Sequence, residues 1–241
     1  EPHLPRALAE AGVEWTVVDD THFLMAGLEE RHLFGYYVTE EEGRPLKVFP
    51  SLKHLRYVIP FRDVPEVIAW LRQQAEQGDG APRLAVMGDD GEKFGVWPHT
   101  YTHCWEQGWL ERLFTALERE ASAGWLRTVP LGEWARHHPP LGRVYLPAAS
   151  YEEMMEWALP PERARELTVL RHTLEQEGRG DVARYLRGGF WRGFLAKYPE
   201  SDVLHKKMLR VHHKVHRALE RGAGHGALQD LWKGQCNCPY W

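Results

Sequence analysis

The sequence predicts an α/β domain over residues 1–150, followed by an α-helical domain over 151–241. Three observations lead there. In the first part, apolar runs of strand length alternate with segments of helical period, the pattern of a parallel sheet or barrel with helices outside. After GRVYLPAAS (142–150) the pattern becomes almost wholly helical. The 241 residues, 43% apolar and 27% charged, are also enough to bury a sizeable core.

Residues 4–11 predict a short helix, stopped by Gly12. VEWTVV (13–18) is apolar and β-branched, a buried strand that ends at Asp19 and Asp20, with His22 and Phe23 just beyond. LKVFP (46–50) and LRYVIPF (55–61) are two more strands by the same criterion. Apolar positions 64, 67, 68 and 71 form the stripe of a helix over 63–77, and GDGAP (78–82) is a loop. RLAVM (83–87) is again strand-like. A helix over 104–119 carries Trp105, Trp109, Leu110, Leu113, Phe114 and Leu117. In the second domain, helices are expected over 160–177 and 200–219, the latter with a stripe at Leu204, Met208, Val211, Val215 and Leu219.

Composition narrows the function. A net charge of −4 with no basic block argues against a nucleic-acid partner. No stretch approaches the ~20 apolar residues that span a bilayer, so no membrane partner is expected. Three cysteines do not describe a disulfide framework, which favours a reducing, cytoplasmic compartment. Eleven tryptophans are many, and such rings serve as core or as platforms for flat ligands.

Sites in open α/β folds lie at the carboxyl ends of strands. Two acidic clusters occupy such ends: Asp19–Asp20, and Asp89–Asp90–Glu92 within GDDGEKFGVWP (88–98). The second could be a polar turn hinged on Gly88 and Gly91. Against that, like charges so close need a stabilising partner, and Trp97 offers an apolar wall beside which an Asp can hold a proton as a general acid must. Extended geometry points Asp90 and Glu92 one way and Asp89 the other, without saying which one moves a proton. His99/His103 and His212/His216 have helical four-residue spacing, and QCNC (235–238) holds a C-x-C. None is completed by a further ligand pattern, so solvated faces are favoured over a metal, and no cofactor is expected.

DDGEKFGVWP together with EQGWLERLF (106–114) resembles a block of glycoside hydrolase family 57, in its 4-α-glucanotransferase and α-amylase branch. EPHLPRALAEAGVEWTVVDDTHF, LRYVIPF, RVYLPAASYEEMMEWALP, GGFWRGFLAKYPESDVLHKKML and QCNCPYW resemble further family segments in the family's order, so the resemblance runs along the whole chain. It implies the C-terminal part of a (β/α)7 barrel followed by a helical region that returns to the active site. It also implies cleavage of α-glucosidic bonds with retention, by a Glu nucleophile and an Asp acid/base. By the resemblance Asp90 is the acid/base, Glu92 binds sugar, Trp97 lines the cleft and Trp241 lies near the sugar. Asp20 and His22 join them as candidate sugar-binding residues. Cys238 stands where many members carry Asp, and a thiol is a weak donor and acceptor. The chain opens on EP, the end of a WLTERVWEP-like stretch, so the nucleophile is expected four residues upstream of Glu1. The expected activity is 4-α-glucanotransferase on α-1,4-glucans or maltooligosaccharides. The alternatives are α-amylase and a non-catalytic glucan-binding protein. A homodimer is an allowed assembly.

Overall fold

In WTVVD three consecutive side chains, Thr16, Val17 and Val18, are β-branched, and the segment forms strand β1 (Trp15–Asp19), preceded by helix α1 (Leu4–Glu10). The computed structural model describes residues 1–78, 80–236 and 240, in two units, Glu1–Tyr151 and Glu152–Trp241. In the first, α2 (Asp20–Met25) follows β1 directly, with Asp19 as its cap: Thr21 N donates to Asp19 Oδ1 at 3.1 Å. Strands β2 (Tyr37–Glu41) and β3 (Arg44–Ser51) are antiparallel, joined by Glu42 (φ 47°) and Gly43 (φ 75°). Two left-handed residues in a two-residue turn match the twist of a hairpin. A two-residue strand, β4 (Gly142–Arg143), completes a sheet of order β1-β3-β2-β4. β1 lies parallel to β3 with Asp19 opposite Ser51, and β4 lies parallel to β2.

The sheet is therefore mixed, where strand–helix alternation predicted a parallel one. The difference is the hairpin, whose short Glu42–Gly43 link leaves no room for a crossover. Both faces of β3 are covered: Leu46 and Val48 join a core with Phe23, Leu55, Val67 and Trp109, while Phe49 packs with Tyr36, Leu84 and Val86.

Two other expectations change. LRYVIPF, predicted as a strand, holds the helix α3 (Lys53–Val58). Leu55 anchors the turn in the core while Tyr57 faces solvent, and Pro60, which cannot donate to an extending helix, lies just past its end. RLAVM is extended, with Leu84 and Val86 buried in alternation, but its backbone makes isolated bonds rather than a ladder: Leu84 N to Phe34 O at 3.2 Å, and Leu52 N to Val86 O at 2.9 Å.

Helix α4 (Val64–Glu76) buries Val64, Val67 and Ile68, as its stripe predicts. The helix expected over 104–119 is broken. A π-helical turn (Thr102–Glu106) ends at Gly108, φ 67°, and α5 (Trp109–Ser122) starts there. The left-handed Gly108 turns the chain so that the Trp109 ring is fully buried, its Nε1 donating to Arg62 O at 2.9 Å. Helix α6 (Leu131–His137) precedes β4.

The second unit contains α7 (Glu152–Trp157), α8 (Pro161–Gln176), α9 (Gly180–Ala183), α10 (Trp191–Lys197), α11 (Pro199–Glu220) and α12 (Gly226–Gly234). The GG of RGGFW passes against α7: Gly189 N donates to Met155 O at 2.7 Å, and a Cβ on Gly188 would lie 2.4 Å from that oxygen. On α11 the inward row is rotated from the predicted stripe. Leu204 and Val211 are exposed, and His205, Met208, His212, Val215 and Leu219 are half-buried. Local partners explain the rotation: His205 meets the rings of Trp191 and Tyr240, and His212 bonds Gln235 at 3.0 Å.

Candidate active site

Three chain segments end side by side in the first unit: β1 at Asp19, β3 at Ser51, and the extended 83–87 at Gly88. Ser51 Oγ joins the last two, donating to Gly88 O and accepting from Gly88 N, each at 2.9 Å. Gly88 fits closely here, since a Cβ would sit 3.3 Å from Val17 Cγ1. These contacts fix where the loop 88–97 leaves the strand ends.

Within the loop the carboxylates separate. Asp89 turns inward, its side chain 3% exposed, and pairs with Lys93, whose side chain is 5% exposed. Asp89 Oδ1 accepts from Asp90 N at 2.9 Å and lies 3.6 Å from Arg56 Nε. Arg56 Nη1 reaches Asp19 Oδ2 at 2.8 Å, and Lys93 Nζ also donates to Arg56 O. Two cations thus face two carboxylates below the surface, a balance that offsets the cost of taking them from water. Over Lys93 lie the rings of Phe61 and Trp97, 5.4 and 5.8 Å from Nζ and near-parallel to each other at 15°. Ring faces carry negative quadrupole density and suit an ammonium.

Asp90 and Glu92 face solvent. The 3₁₀ turn Gly91–Phe94 starts after Asp90, so the strand-like alternation expected from the sequence stops at Asp90, and the turn carries Glu92 back outward. The Glu92 carbonyl gathers three amides, Gly95 N at 3.3 Å, Val96 N at 2.8 Å and Trp97 N at 3.1 Å. Trp105 Nε1 holds the Phe94 carbonyl at 2.7 Å. Two exposed carboxylates therefore stand on a loop whose far side, Glu92–Trp97, is held by backbone bonds. The Trp97 ring, 39% exposed, also covers Lys93.

Asp20, at the start of α2, is buried, and burial pushes its pKa up to about 6. Its Oδ2 accepts from Lys53 N at 2.7 Å, while Oδ1 has no hydrogen-bond partner among the described residues. His22 is drawn down by burial, which outweighs the bond of its Nδ1 to Asp19 O at 3.1 Å. Asp20 and His22 thus share the strand end with Asp19, which the ion network joins to Asp89. Cys238 and Trp241 lie outside the described residues. Of the paired histidines, His103 Nε2 bonds Pro60 O at 2.8 Å, and His212 and His216 have ring centroids 4.2 Å apart. No group of three or more metal-ligating side chains occurs among the described residues. An apolar hollow of about 1190 Å³ between α4, α5 and the 83–87 segment is lined by no carboxylate among the described residues.

Arg56 and Phe61 went unnoticed in the sequence because LRYVIPF reads as a strand. The signal available was an Arg inside an otherwise apolar run.

Two exposed carboxylates, Asp90 and Glu92, thus stand just past the extended segment 83–87, next to the ends of β1 and β3. The chain belongs to glycosyl hydrolase family 57: that family's sequence profile matches residues 1–147, and the profile of the α-amylase/4-α-glucanotransferase middle domain matches residues 189–241. It is similar to α-amylase 1 of Dictyoglomus thermophilum (45% identical), 4-α-glucanotransferase of Thermococcus litoralis (42%) and α-amylase of Pyrococcus furiosus (40%). Each alignment covers 100% of this chain but only 35%, 35% and 36% of the relative, so the chain spans about a third of their length. The crystal structure of the T. litoralis 4-α-glucanotransferase matches with a TM-score of 0.85, over 100% of this chain and 36% of that one.

Proposed function

We propose that the whole protein is a retaining α-glucan-active enzyme, a 4-α-glucanotransferase on α-1,4-glucans or maltooligosaccharides. In this reading the chain supplies the C-terminal part of a (β/α)7 barrel and the helical domain after it. The nucleophilic Glu comes from the segment preceding Glu1. The observation that carries the reading is the loop geometry: Asp90 is exposed just past the extended segment 83–87 while its neighbour Asp89 is consumed by Lys93 and Arg56.

Asp90 protonates the glycosidic oxygen as the C1–O bond breaks and the nucleophile bonds C1. It then takes the proton from the incoming hydroxyl as that oxygen displaces the nucleophile. Glu92 and Trp97 hold the sugar, with Asp20 and His22 completing the subsites. A rigid loop suits this work, because a misplaced acid loses most of its effect.

Hydrolysis by the same residues, as an α-amylase, is the second reading, favoured by relatives that carry both names at 40–45% identity. Incubating the whole protein with a single maltooligosaccharide separates them. A ladder of longer products marks a transferase, and shorter products alone mark a hydrolase. No product from a folded protein rejects both and leaves a glucan-binding protein, a result that a residue other than Glu four places before Glu1 would explain.

A further inference from the structure

Lys93 is buried, and an ammonium withdrawn from water is retained only where specific partners compensate it. Its partners are Asp89, the Arg56 carbonyl, and the ring faces of Phe61 and Trp97. Each belongs to the loop 88–97 or to the segment carrying α3. Asp89 in turn accepts from the backbone N–H of Asp90 at 2.9 Å. A chain of contacts therefore runs from the two rings through the ammonium and the Asp89 carboxylate to the peptide from which the Asp90 side chain springs.

We propose that Lys93 is a positioning residue for the acid/base carboxyl, acting through Asp89 to fix the peptide of Asp90. The proposal rests on the reading of Asp90 given above. It requires Lys93 to serve both chemical steps that use Asp90 while contributing little to sugar binding. The ammonium is enclosed beneath the rings and faces Asp89, so it acts on the sugar only through the loop.

The test uses the whole protein and substrates that bypass Asp90. With an α-maltosyl fluoride, C1–F breaks and fluoride leaves without a proton. Azide then attacks C1 of the glycosyl-enzyme without a base, giving the α-glycosyl azide. Lys93→Met is expected to lower kcat on maltooligosaccharides about 100-fold, with KM within a few-fold. With fluoride plus azide its turnover should approach that of the unchanged protein, and Asp90→Asn should show the same pattern more strongly. Lys93→Arg keeps the charge, but its long planar head fits the ammonium's place poorly, so the same pattern should follow with a smaller loss. It serves if the Met variant does not fold.

The proposal is overturned if the variants turn over maltooligosaccharides within threefold of the unchanged protein. It is also overturned if they stay inactive with fluoride and azide while Asp90→Asn is rescued, which marks Lys93 as a structural staple only. If Asp90→Asn itself loses nothing, the assignment of Asp90 fails first and this inference falls with it.

Discussion

Asp20 gives the account its most quantitative check. Its carboxyl ionises near 3.8 in an unfolded chain and at about 6 in the fold, chiefly because burial strips water from the charge. That difference costs the ionised form roughly 3 kcal/mol at 1.36 kcal/mol per pH unit. The sign follows from proton counting. Between those two pH values the folded state holds a proton that the unfolded state has released, so stability falls as pH rises through the window. The penalty is absent below the unfolded pKa and complete above the folded one. Asp20→Asn removes the titration, and its carboxamide oxygen can still accept from Lys53 N, which now bonds Oδ2 at 2.7 Å. Urea unfolding of both proteins across the pH range from about 3.5 to about 7.5 cancels the contributions of all other groups. The stability of the Asn variant relative to the parent should improve by roughly 3 kcal/mol from the acid end to the neutral end. Two parallel pH profiles would refute the reasoning, because they would mean that Asp20 ionises alike in both states.

Three further outcomes are expected. Arg56→Met leaves Asp19 and Asp89 short of a cation and should cost about 2–4 kcal/mol in denaturant unfolding, insensitive to salt; a loss under 1 kcal/mol would show that the network is solvated. Gly188→Ala drives a methyl into the Met155 carbonyl, 2.4 Å away in the ideal geometry, and should lower the stability of the second unit by about 1–3 kcal/mol, measured by its own unfolding transition. In the whole protein, Trp97→Ala should raise KM for maltooligosaccharides about tenfold through a lost ring platform, and an unchanged KM in initial-rate assays would remove Trp97 from the sugar site.

Much of the framework was legible in the sequence. Long periodic segments such as α4 and α8 reported themselves, and WTVVD and LKVFP named the two parallel strands β1 and β3, whose ends Asp19 and Ser51 lie opposite each other. The misreadings have physical causes. A seven-residue apolar run such as LRYVIPF satisfies strand and helix templates equally, and tertiary contacts made it a helix. The hairpin was missed because Glu42 adopts a left-handed conformation that its side chain does not advertise. On α11, ring contacts of His205 and the bond of His212 to Gln235 outweighed the more apolar Leu204 and Val211. For the candidate site, the carboxylate positions were visible, and Asp89 was expected to face away from Asp90 and Glu92. What spacing could not reveal was the cation arrangement, because Arg56 and Asp89 are 33 positions apart and meet only once α3 forms.

The central claim is that Asp90 moves the proton while the rest of the loop holds it in place. The direct measurement is kcat on a maltooligosaccharide for Asp90→Asn in the whole protein, with the dissociation constant for the same sugar measured beside it. A fall in kcat of about 10²–10⁴-fold is expected, with binding unchanged within a few-fold. Turnover equal to that of the unchanged protein would contradict it.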